Sequence, residues 1–451
     1  MRSTVANDAA PGTAGTGRPH PPDRRESSGF LRQPCTDPHG FETQTRDDAP
    51  PHEPNPDVPR PLTRLAAPRS THLKLPTRRP LIVTALAIAL TTGLAACSAA
   101  SPAPSRERAA LPTPKVIAGS VWVANEEGNS LAVLDAAANK VVTTLTGIAA
   151  PHNVQASRDG SLTYAVSEHD NTVVAVDTTT YAVSAVGPSG PSPAHVIQSA
   201  DGTKAYVTNS GNGTVSVFRV PGLKSIATIK VGGMPHGLRP AGNGSVVVVA
   251  NTQANALDVI NPATDTETAA VPVGGSPVQV AVDGAGRYAY ASITEPASVV
   301  KVDLRSRTVV DKVNVPSAPV QLFLTPDGKT LLSADQGTTT KPGNTLSVID
   351  PTTMGVTGTV RTGSGPHGVV VDPSGTRAWV TNVDDDTVSV VDIAGLAVLA
   401  TIPVGDMPNG VTFFRRPPAP AAAPTIDLNL RTSRTPDDDH TSMTMPMPDE
   451  G

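Results

Sequence analysis

Cysteine is nearly absent: the 451 residues hold two, Cys35 and Cys97, and neither falls in the repetitive middle of the chain. Thiolate catalysis and a disulfide framework are excluded for that region. Aromatic residues are scarce, with five Tyr, two Trp and six Phe, so few platforms exist on which nucleic-acid bases could stack. Residues 98–451 carry 23 Lys and Arg against 31 Asp and Glu. An acidic balance of this kind does not suit a polyanion partner, and nucleic-acid binding is not expected. A Gly-rich phosphate loop, a His-Glu-x-x-His pair, a nucleophile elbow and a Cys-x-x-Cys-His haem attachment are all missing. Helical periodicity is almost absent. One apolar run stands out, from Leu81 to Leu90, and it falls short of the roughly 20 residues a membrane-crossing helix needs.

What the chain does have is a proline every 42 residues. Pro151, Pro193, Pro235, Pro277 and Pro319 keep that spacing, Pro366 follows after 47, and Pro408 after 42 again. In the unit opened by Pro366, an apolar run, the turn Ser374-Gly375, the run Arg377 to Asn382, a polar turn from Asp384 to Asp386 and the run Thr387 to Asp392 precede a fourth run, Ala397 to Pro403. Alternating β-branched residues between turn dipeptides read as four antiparallel strands. The first turn recurs as Asp159-Gly160, Asp201-Gly202, Asn243-Gly244 and Asp327-Gly328, pairs that tolerate the positive φ of tight hairpins. Four strands per unit at a 40–50-residue period predict an all-β, seven-bladed β-propeller of four-stranded antiparallel blades. Six units are complete. Ser120 to Leu145 lacks a first strand, and Met407 to Phe414 is a first strand without a blade, so pairing the two would close the ring and remove two exposed edges.

The words inside the repeat resemble a known family. Tyr206-Val207-Thr208-Asn209 is a literal YVTN, with Trp379-Val380-Thr381-Asn382 and Trp122-Val123-Ala124-Asn125 as variants, and Thr214 to Val217 and Thr387 to Asp392 match the following strand. Over residues 116–416 this is similar to the YVTN-type, YncE-like propeller repeat of surface-layer and periplasmic proteins. The resemblance implies a seven-bladed ring and extends to lactonases and to quinoprotein and haem-enzyme propellers. The words weaken at Val248 to Asn251, Tyr290 to Ile293 and Leu332 to Asp335.

Ahead of the repeats, Thr77-Arg78-Arg79-Pro80, the apolar run and Leu94-Ala95-Ala96-Cys97 form a basic start, a short hydrophobic stretch and small residues at a cut. That is a secretory signal over residues 74–97, and Leu-Ala-Ala-Cys resembles the bacterial lipobox, which implies lipidation of Cys97. The expectation is an exported protein, lipid-anchored at the outer face of the cytoplasmic membrane or elsewhere in the envelope, with a monomer as the expected state. Residues 1–73 lack apolar periodicity and read as disordered; a start codon just upstream of Lys74 would leave them untranslated. Residues 98–115 read as a flexible tether and 417–451 as a disordered Pro-, Asp- and Met-rich tail.

Candidate site residues come from two places. The prolines open the strands expected to line the central channel, and the residues beside them include His152, His195, His236, His367 and Asn409. Imidazoles converging at a channel mouth suit a divalent metal, an anionic ligand or general-base work; the competing reading is a turn word whose histidines bond a neighbouring blade's backbone. A second ring, Asn125, Glu168, Asn209, Asn251, Asp335 and Asn382, reads as structural capping. In the tail, His440, Met443, Met445 and Met447 offer imidazole and thioether donors suited to copper. The insertion at Gly337 to Pro342 reads as an enlarged loop. The expected function is a non-catalytic binding or protein-interaction platform for an unknown protein or small ligand. A lactonase-type hydrolase and metal binding through the mouth or tail are the alternatives.

Overall fold

The computed structural model describes residues 116–430. They form seven sheets around a ring, six of them built of four antiparallel strands in chain order and the seventh from both ends of the described chain. Blade one runs from Val154–Ala156 to Val183–Pro188, and blades two, three and four open with Pro193–Gln198, Pro235–Pro240 and Pro277–Val282. Blades five and six open with Leu322–Leu324 and Pro366–Val371. In blade seven the innermost strand, Pro408–Phe414, pairs with Ser120–Asn125 from the other end of the propeller, matching Phe414 to Ser120 and Val411 to Val123. The seven innermost strands touch their neighbours all the way round, including Pro408–Phe414 against Val154–Ala156.

Strand formation follows the sequence closely. Val, Thr and aromatic residues alternate through the second and third strands, and nearly all are buried because both faces of a blade pack against neighbouring blades. Trp122 and Trp379 are fully buried, and the Phe414 ring lies 5.7 Å from Trp122. At the turn joining first and second strands, Gly160, Gly202, Gly244, Gly286, Gly328 and Gly375 all take φ between 68° and 74°, the left-handed region that favours glycine. Asp201 supports its turn by accepting from the Ser199 hydroxyl and the Thr203 amide.

One irregularity decides where the channel side chains go. Pro193 pairs with Asn209, but Val196 pairs with Val207, so three steps on the first strand face two on the second. The same β-bulge follows Pro235, Pro277 and Pro366, and a matching register shift occurs in blade seven. A bulge lifts residues out of the ladder and re-aims them. The lifted residues are the two after each proline.

The Thr-Asn of the YVTN word holds that bulge. Thr208 accepts from the His195 amide at 3.1 Å and donates to the His236 carbonyl of the next blade at 2.6 Å. Thr381 does the same for Gly368 and Asn409. Asn209 donates to Thr214 and Ser216 on the third strand and accepts from the Gly190 amide; Asn382 repeats this pattern, and Asn125 donates to Ser130 and accepts from the Gly405 amide. The asparagine ring is structural. Glu168 is not a member of it: Ser167 ends its strand, and Glu168 stands one residue further on, level with Glu126.

Two sequence boundaries move. Residues 417–430 are ordered on blade seven, contrary to the reading of everything past 416 as a disordered tail. Thr425–Asp427 adds a parallel fifth strand beside Lys140–Thr146, Tyr181 donates to the Ala419 carbonyl at 2.7 Å, and Leu428 is buried. The segment was illegible because it docks through backbone edge pairing and scattered apolar contacts, which leave no alternating pattern. The insertion after Asp335 is no loop either; it lengthens two strands into Leu331–Thr338 and Lys341–Asp350, closed by a tight turn.

Candidate metal centre at the channel mouth

The residues just after the opening prolines of four blades meet, three of them lifted by a bulge and His152 standing just ahead of the strand Val154–Ala156. His195 lies with its ring centroid 4.8 Å from that of His236 and 5.3 Å from that of His152, and His152 is 5.1 Å from His236 and 6.1 Å from His367. One ligand atom from each of His152, His195 and His236 fits in a group whose members all lie within 4.8 Å of one another. Of the residues singled out in the sequence, these four histidines and Asn409 come together. Cys97, His440, Met443, Met445 and Met447 lie outside the described residues.

Three of the imidazoles are oriented by a fixed acceptor at Nδ1. His152 Nδ1 stands 3.2 Å from Glu126 Oε2, His236 Nδ1 3.1 Å from the Val278 carbonyl, and His367 Nδ1 2.9 Å from Gln336 Oε1. A carboxylate and a backbone carbonyl can only accept, so Nδ1 carries the proton in His152 and His236, and the lone pair is assigned to Nε2. Second-sphere acceptors of this kind are how proteins set the tautomer of ligating histidines. His195 differs. It is 2% exposed, and neither ring nitrogen has a hydrogen-bond partner. Such a group is costly to bury without a ligand.

The electrostatics keep lone pairs available. Burial, reinforced by the His236 and His152 charges, holds the His195 pKa well below the usual imidazole value. Burial likewise brings His367 down to about 3, so both rings are neutral near pH 7. Burial alone would raise Glu126, but His152 and the Asn409 amide outweigh it and bring the carboxyl to about 2. Burial raises Glu168, which, with Glu126 and His152, forms a second cluster of potential ligand atoms.

Sequence reading missed Glu126 and Gln336, and it placed Glu168 in the capping ring rather than at the mouth. Glu126 and Glu168 directly follow the end of a second strand and Gln336 lies within the lengthened strand Leu331–Thr338, so the first-strand word gave no sign of their place at the mouth. A cleft of about 380 Å³ also exists at the opposite end of the strands between blades two and three, but its Lys204 and Tyr206 are both committed to Asp265, leaving it little donor chemistry.

A family model described as a YNCE-like beta-propeller matches residues 151–328. Over that span, less than half of the chain, the sequence is similar to that family. The YNCE-like span holds His152, His195 and His236, while His367, Glu126 and Asn409 lie outside it. Among curated proteins none matches the sequence. Solved structures that resemble this one include a functionally unknown protein from Desulfotomaculum acetoxidans, 15% identical, with TM-score 0.59 over 66% of this chain and 100% of that one. A candidate 6-phosphogluconolactonase from Bacteroides fragilis is 18% identical, with TM-score 0.57 over 67% and 99%. Hydrazine synthase from Kuenenia stuttgartiensis is 22% identical, with TM-score 0.53 over 58% and 88%. Likeness at these identities carries the propeller frame and nothing about the ligand.

Proposed function

We propose that this protein is an exported, lipid-anchored binding propeller that holds a divalent transition-metal ion in the imidazole cluster at its channel mouth and does not catalyse a reaction. The observation that carries the metal reading is the His195 ring, buried with two unbonded nitrogens among imidazoles whose Nδ1 atoms are anchored elsewhere. Ligand atoms around a tetrahedral zinc ion lie about 3.4 Å apart. The observed 4.8 Å limit therefore requires only a small inward shift of side chains. Neutral imidazoles favour zinc, copper or nickel over magnesium and calcium, which prefer oxygen donors.

The binding reading is favoured over a hydrolase because Glu126, the carboxylate nearest the cluster, already accepts from His152 and Asn409 and so is not placed to activate water. The lactonase alternative rests on fold likeness alone. Export and lipidation rest on the sequence motif ending at Cys97. Metal analysis of natively purified protein tests the reading: about one equivalent of a transition metal is expected, and its loss in the H152A/H195A/H236A variant. Metal-free natural protein, or unchanged metal content in the variant, would sink it.

A further inference from the structure

Below the imidazoles the innermost strand of blade three carries a cation with no acid partner. Arg239 sits on Pro235–Pro240, three residues past His236, or about 10 Å further along the strand. Among the described residues its only hydrogen bond is from Nη1 to the Leu238 carbonyl at 2.9 Å, and no carboxylate lies within ion-pair distance. The guanidinium has five N–H donors in a planar fork, so most of them have no protein partner.

Its surroundings are enclosed yet wet. Desolvation alone lowers the Arg239 pKa to about 10, with no opposing contribution from an acid. Still, the residue keeps intermediate solvent exposure, so solvent and small solutes can reach it. The equivalent position is Ile197 in blade two and Ala281 in blade four, the two neighbours, and Gln155, Phe323, Val370 and Thr412 in the other blades; none of them offers negative charge. On the mouth side stands His195, near enough to feel the arginine's charge.

We propose that the channel below the imidazole cluster binds a small oxyanion, a phosphate or a carboxylate, seated on the Arg239 guanidinium. An anion there supplies acceptors for the fork in the bidentate geometry that arginine favours and offsets the charge of a desolvated cation. The inference stands on Arg239 and not on the cation reading of the mouth.

The test is calorimetric titration of the metal-free full-length protein with inorganic phosphate and, in parallel, with acetate. Saturable one-to-one binding of at least one anion is expected, and the one that binds identifies the source. Arg239→Gln is expected to weaken it at least tenfold, with thermal midpoint and zinc uptake unchanged. Arg239→Lys, which keeps the charge but loses the fork, is expected to fall between. Absence of saturable binding to the wild-type protein up to about 10 mM of either anion, or equal affinity in Arg239→Gln, overturns the proposal. Zinc uptake without anion binding sinks this inference alone; anion binding without zinc uptake sinks only the metal reading.

Discussion

His152 and Glu126 meet at 3.2 Å between blades one and seven, the histidine just ahead of the first strand of blade one and the glutamate just past the second strand of blade seven. The contact couples ring closure to the mouth: only when Ser120–Asn125 is seated beside Pro408–Phe414 does His152 gain its acceptor. Asn409, on the closing strand, donates to the same carboxylate oxygen.

Glu126→Gln should therefore weaken metal binding without removing any ligand. The amide is a poorer acceptor than the carboxylate and does not stabilise a proton on His152 Nδ1 as strongly. A loss of about 10–100-fold in zinc affinity is expected, measured by competition with a chromophoric chelator, while the thermal midpoint of the metal-free protein changes little. An affinity equal to wild type would show that the His152–Glu126 pair does not orient a ligand.

Ring closure has its own test. Phe414 is 3% exposed and packs on Trp122, so Phe414→Ala should cost about 3–5 kcal/mol in denaturant unfolding. Deleting residues 417–451 removes the edge strand and the Tyr181 contact but leaves the seam intact. It should cost less, about 2–3 kcal/mol, and retain the β-sheet circular dichroism spectrum. A deletion as damaging as Phe414→Ala would show that the added strand is part of the closure.

Asp258 predicts a pH dependence. It is 1% exposed, accepts a hydrogen bond from Asn251 at 2.8 Å, and burial raises its pKa to about 7. The folded state binds this proton more tightly than the unfolded chain, whose carboxyl titrates near 4. The contribution of Asp258 is thus fully present at low pH and is lost as pH rises through about 7. Asp258→Asn keeps an acceptor for Asn251 and cannot ionise. Relative to wild type it should gain about 2–4 kcal/mol between pH 4 and pH 8, read from urea midpoints at each pH. A difference that does not change with pH would mean that Asp258 is ionised throughout.

The sequence carried the fold because the proline period and turn dipeptides report local backbone geometry, which each repeat states again. It also carried the positions of His152, His195, His236 and His367, since a repeated word places equivalent residues on equivalent strands. Their convergence was not legible. For His195, His236 and His367 it depends on the bulge after their prolines, a register shift that aims neighbouring residues at one region. Glu126 and Gln336 stayed hidden for another reason: each reaches its histidine from a neighbouring blade, 26 and 31 residues away. Arg239 gave no signal at all, because an arginine in a strand is remarkable only once its lack of an acid partner is known.

The most direct measurement is titration of the metal-free full-length protein with Co(II), whose visible bands report coordination by nitrogen ligands. The account predicts saturation at one equivalent with the intense bands of a four- or five-coordinate histidine site, and at least a hundredfold weaker binding in His195→Ala with an unchanged thermal midpoint. A folded protein that takes up no Co(II), or one whose spectrum and affinity survive in His195→Ala, would contradict it.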